Sequence, residues 1–78
     1  MSRKHVEKYS LFGIRVRTAK GAVRLARVDG ASREVYLTHV FRAARDRAKW
    51  LNAESRQHGV GASYRAVRVE VTYSAEVP

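Results

Sequence analysis

The stretch SYRAVRVEVTY, residues 63–73, decides the fold. Val67, Val69, Val71 and Tyr73 alternate with Ala66, Arg68, Glu70 and Thr72, the two-residue period of a strand with one dry face and one wet face. A strand needs partners, and candidates lie upstream. Tyr9 to Thr18 alternates in the same way, with Phe12, Ile14 and Val16 set against Gly13, Arg15 and Arg17. Ala22 to Val28 offers a second run, reading Val23 and Leu25 inward and Arg24 and Ala26 outward. Its period breaks at Arg27-Val28, where a bulge or an early end is expected. Thr18-Ala19-Lys20-Gly21 reads as a turn with Gly21 free to take a positive φ. Asp29-Gly30 suits a type I′ hairpin turn. A third strand over Arg33–Thr38, carrying Val35, Tyr36 and Leu37, would follow it.

Between these runs and residues 63–73 the period becomes helical. Val40 to Gln57 holds no Gly or Pro and is rich in Ala and Arg. Phe41, Ala44, Ala48, Leu51 and Ser55 recur at helical spacing and form one narrow stripe of mostly small residues. Val40, Ala43 and Trp50 widen it. Thr38 reads as the N-cap and Gly59 as the residue just past the C-cap. Alanines on the stripe let a helix lie close to a sheet. The expected class is therefore α+β: an antiparallel sheet of about four strands with one helix on one face, in the order β-β-β-α-β. Residues 1–8 read as a basic N-terminal tail, 9–74 as a single α+β domain, and 75–78 as a frayed C-terminus.

Charge bounds the function. Sixteen Lys and Arg against seven acids give a formal +9 on 78 residues, a field that draws in polyanions. Hydrophobic residues at 45% argue against a disordered basic tail. With no Cys, neither disulfides nor thiolate metal sites can staple so small a core. No apolar run reaches the ~20 residues of a membrane-spanning helix. No apolar signal core opens the chain, and a cytoplasmic protein is expected, in a host cytoplasm if it is phage-encoded.

One helix can cover only one sheet face. The other is expected to present Arg15, Arg17, Arg24 and Arg68, with Tyr36 and Tyr64 among them. Guanidinium groups pair phosphates and aromatic rings stack on unpaired bases, so this mixture fits a nucleic-acid surface. It also fits the wet half of an amphipathic sheet. Arg42, Arg45, Arg47, Lys49 and Arg56 make a second basic patch on the helix, where Asp46 is spaced to reach Arg42 and Lys49. Trp50 reads either as core or, if exposed, as a binding hot spot.

Chemistry finds no footing. His5, His39 and His58 match no metal spacing, the serines lack a nucleophile context, and Gly59-Val60-Gly61 follows a helix instead of preceding one. The reading is a protein that is not an enzyme and uses no cofactor, metal or small-molecule substrate. Its partner would be nucleic acid, a nucleoprotein complex or an acidic protein surface. The chain would be a monomer or a weak homodimer.

Three strands, then Tyr36-Leu37 leading through Phe41 into a helix with Ala44, Ala48 and Trp50-Leu51, resemble the ethylene-response-factor-type and integrase arm-type DNA-binding domains. That resemblance implies a sheet in the major groove with Arg15, Arg17 and Arg24 facing the bases. Thr38 stands where those domains carry Gly, and a further strand follows the helix. By size and layout the chain also resembles small phage and mobile-element proteins, anti-CRISPR inhibitors among them. This second resemblance implies an inhibitor that blocks a host nucleoprotein machine by covering an acidic protein surface, or by gripping its guide RNA or target DNA.

Overall fold

The computed structural model describes residues 3–29 and 31–77, with side chains from 4 to 75 apart from Gly30. Four elements follow in order: β1 (Arg3–Arg17), β2 (Val23–Leu25), α1 (Phe41–Gln57) and β3 (Ser63–Val77). The strands form one antiparallel sheet in the order β2-β1-β3. This is α+β with one helix and three strands, where four strands were expected.

β1 and β3 pair without a bulge over their whole lengths, from Arg3 opposite Val77 to Arg17 opposite Ser63. Residues 3–8 and 75–77, expected as tail and frayed end, are thus paired strand. β2 is short, pairing only at Arg15–Leu25, Val16–Arg24 and Arg17–Val23. The turn before it is as expected: the Gly21 amide donates to the Thr18 carbonyl at 2.9 Å, with φ of 88° at Gly21.

The third strand does not form. Because β2 stops at Leu25, the edge of β1 beyond it stands open, and the chain crosses over to fill it. Arg27 bridges Val35, the Tyr36 amide donates to the Ala26 carbonyl, and Thr38 then bridges Phe12 on β1. Gly30 of the expected hairpin turn lies outside the described residues. The Val28 amide reaches the Glu34 carbonyl at 2.8 Å, so a longer loop closes here in place of a two-residue hairpin turn. The Asp29 carboxylate holds that loop by accepting from the Ala31 and Ser32 amides.

The helix buries the stripe that its sequence marks out. Ala44, Ala48 and Ser55 are buried and Leu51 is half-buried. Val40, not Thr38, occupies the N-cap, and it has no side-chain cap. Thr38 is committed elsewhere, pairing with Phe12 through its backbone. At the far end the Val60 amide reaches the Ser55 carbonyl and the Gly59 amide reaches that of Arg56. With φ of 64° at Gly59, this is a Schellman stop, which only glycine adopts without strain.

The core is thin: Ile14, Val16, Ala26, Ala44 and Ala48, with Ile14 its one large, fully buried side chain. Register explains which sheet residues reach it. Ile14 lies opposite Ala66 and Val16 opposite Tyr64, so Ala66 and Tyr64 share the helix side with them. Val67, Val69, Val71 and Tyr73 therefore point away from the helix. Small residues on both α1 and β3 let the helix approach closely, and the bulkier valines are displaced to the other face.

Candidate nucleic-acid interface

The expected binding residues separate onto different surfaces. Arg15 and Arg17 do lie on the face away from the helix. Arg24 sits opposite Val16, and Arg68 opposite Phe12, so both are on the helix side together with Tyr64. Tyr36 packs against the core on that side as well. The cause is a change of phase. Alternation gives each strand two faces but does not say which one meets the helix, and the pairing register inverts the expectation for β2 and β3.

A groove forms where Arg24 and Tyr64 meet, between α1 and the segment after β2. Its volume is about 430 Å³. Val16, Ala26 and Leu51 floor it, and Arg24, Arg27 and Arg47 bring three guanidinium groups to its walls. Trp50 and Tyr64 supply two aromatic rings. Trp50 is 58% exposed, which settles its position outside the core. It lies on the flank of the helix shared by Arg47, three residues and nearly one turn earlier.

Arg47 is the most constrained of the three cations. Its guanidinium lies 4.8 Å from the centre of the Tyr36 ring and donates to the Val28 carbonyl at 2.9 Å. Cation–π and hydrogen-bond contacts thus tie the helix to the loop that forms the opposite wall. The Arg47 Nε is buried without a hydrogen-bond partner among the described residues. The one carboxylate in the groove, Asp29, already accepts two backbone amides. A second, shallower cavity shares Arg24 and Tyr64 and adds Thr18, Lys20 and Val60.

Two further basic surfaces border the groove's body. On the open sheet face, Arg15 stands directly opposite Arg65, with Arg17 next along the strand. Like charges directly opposite one another destabilise a sheet. On the other flank of α1, Arg42, Arg45 and Lys49 are exposed along with Arg56. Asp46 pairs with its neighbour Arg45 at 3.9 Å, and not with Arg42 or Lys49 as the spacing implies. Among the described side chains no other arginine forms an ion pair with a carboxylate. The positive charge of the body is therefore largely unpaired among the described side chains.

Sequence reasoning missed Arg27 and Arg65, and it grouped Arg47 with the helix patch and not with the groove. Arg47 had a signal, since its three-residue spacing to Trp50 puts both on one helix flank. Arg27 had none, because its position depends on where β2 stops. Among the described residues no cluster of His, Asp or Glu could hold a metal ion, and no helix is long and apolar enough to cross a membrane. Comparison with family models, curated proteins and solved structures finds no match to this chain.

Proposed function

We propose that this chain is a non-enzymatic binding protein that docks on nucleic acid or a nucleoprotein complex, with the Arg24–Arg27–Arg47 groove as its contact. One observation carries the reading: an exposed tryptophan beside three arginines that have no carboxylate partner. In this site the arginines neutralise phosphates, and Trp50 with Tyr64 offers stacking faces to an unpaired base. That combination favours a single-stranded segment over a closed duplex, whose bases are already stacked. Arg15, Arg17 and Arg65 on the open face, and Arg42, Arg45 and Lys49 on the helix, extend the attraction around the body and steer the encounter.

Trp50 is the chain's single tryptophan, so its emission reports directly on the groove. Titration with a single-stranded oligonucleotide should quench it. The double variant R24E/R27E should bind more weakly and show a shallower dependence of affinity on salt, by about two units of log–log slope. W50A should lose about 1–3 kcal/mol of binding while unfolding at nearly the wild-type denaturant concentration. Wild-type binding that neither variant weakens would remove the groove from the account. A protein partner that survives nuclease treatment and is lost in W50A would instead support an inhibitor covering an acidic protein surface.

A further inference from the structure

Beyond Phe12 and Arg68 the sheet outruns the helix. Residues 3–11 and 69–77 continue as a two-stranded arm, and residues 4–10 are all exposed. The molecule's longest dimension, 57 Å against 25 and 20 Å, reflects this arm. A two-stranded ribbon standing alone is marginally stable in water. Something else is needed to hold this one.

Its two faces differ. Lys4, Val6, Lys8 and Ser10 share the helix side with Glu70, Thr72 and Ser74, and this face is mostly polar. The opposite face carries Tyr9 and Leu11 beside Val69, Val71 and Tyr73, with Leu37 close by. Tyr9 and Tyr73 stack edge to face at 5.7 Å, yet Tyr73 remains 57% exposed. An apolar strip thus faces outward, half-buried at Leu11, Val69 and Val71 and exposed at Tyr9 and Tyr73, with His5 and Glu7 at its outer end.

Charge identifies its occupant. Within the arm, Arg3, Lys4 and Lys8 balance Glu7, Glu70 and Glu76. The whole formal +9 therefore belongs to residues 12–68, and the arm is neutral. A polyanion gains nothing from a neutral apolar strip. A second copy of the same strip meets no repulsion there.

We propose that the arm is the docking surface for a second copy of this chain, the two apolar faces meeting front to front with the arms antiparallel. Aligned sheets pack in this way about 10 Å apart. A two-fold axis near Leu11 and Val69 then brings Glu7 of each copy to the base of the other arm, beside Arg15 and Arg65. That pair of arginines is short of a counter-charge within its own chain. The hydrogen bonds that Glu7 accepts from His5 and Tyr9 orient its carboxylate on the same face. The antiparallel arrangement also sets the two basic bodies roughly 30 Å apart, about three Debye lengths at 0.1 M salt. A strip some 30 Å by 10 Å gives a footprint of about 300 Å² per copy, below the ~800 Å² of a standard interface, so the dimer is weak.

Sedimentation velocity on the full chain tests this. Wild type should pass from monomer to dimer as concentration rises from about 1 μM to several hundred μM, the range for so small an interface. V71K and E7R should each stay monomeric with an unchanged far-ultraviolet circular dichroism spectrum. Adding R15E and R65E to E7R should restore the dimer by exchanging the charges across the seam. Wild type that stays monomeric throughout overturns the proposal, as does a V71K chain that dimerises normally. A folded triple variant that remains monomeric overturns the antiparallel register.

Discussion

The body and the arm are made from the same two strands and behave as different materials. In the body, β1 and β3 are covered by α1 and hold Ile14 and Val16 in a dry core, and residues 12–68 together carry all of the net charge. In the arm, the same ladder continues with no helix over it, no net charge, and valines and tyrosines facing solvent. Cover makes the difference. Where α1 ends its reach, near the edge-to-face pair of Phe12 and Phe41, the chain stops burying one face and begins to offer the other. Net charge and exposed apolar surface are thereby kept apart.

Body and arm should differ most in what a core truncation costs. Ile14→Ala should cost about 2–5 kcal/mol of stability in chemical denaturation, because no other large side chain among the described residues is fully buried. Tyr73→Ala, on the arm, should cost under about 1 kcal/mol in dilute solution, since its ring is already mostly wet. Equal losses at the two sites would mean that the arm is as integral to the monomer as the body.

A smaller effect sharpens the boundary along the β3 edge. The Asn52 amide donates to the Tyr64 carbonyl at 2.9 Å and its oxygen accepts the Tyr64 amide at 2.8 Å. Ser55 does the same for Ala62, accepting at 3.0 Å and donating at 2.7 Å. These side chains stand in for a missing strand and blunt the edge where it leaves the helix. Asn52→Ala should cost about 1–3 kcal/mol, and amide exchange at Tyr64 should quicken more than at Val71. Uniform acceleration along β3 would contradict this division.

The smallest expected effect concerns pH. Hydrogen bonding with His5, and secondarily with Tyr9, holds the Glu7 carboxyl below its ordinary pKa. A depressed carboxyl stabilises the folded arm above its ordinary pKa, and that contribution is lost as pH falls through the lowered value. The same contact with Glu7 pushes the Tyr9 phenol above its ordinary pKa. Its contribution holds below the ordinary phenol value and is lost as pH rises through the raised one. Both groups are solvent-exposed, so the changes are slight. Arm amides should exchange somewhat faster in acid, beyond the intrinsic effect of pH, with body amides unaffected.

Much of this division is legible in the sequence, and the remainder has a physical cause. The helix and its alanine stripe follow from spacing alone, as does the glycine stop at Gly59, because helical contacts are local. The phase of β2 and β3 does not, because a strand's two faces become distinct only once a partner register is set. Gly13 illustrates the limit. A Cβ there would come within 3.1 Å of Val69 and 3.2 Å of the Tyr36 carbonyl, so the crossing of residues 36–38 requires a glycine. Nothing within ten residues of Gly13 announces that crossing. Arg24 and Tyr64 were recognisable as candidates by residue type, while the groove that joins them depends on β2 ending early.

On the proposed function, the body's charge serves a polyanion at the Trp50 groove while the arm does not take part. The most direct measurement is Trp50 emission during titration with a single strand of about 12 nucleotides, repeated at low and moderate salt for wild type, R24E/R27E and V71K. Quenching should weaken steeply with salt, be strongly reduced in R24E/R27E, and be retained per chain in V71K. Emission that does not change at low salt, or quenching abolished by V71K and untouched by R24E/R27E, would contradict that proposal.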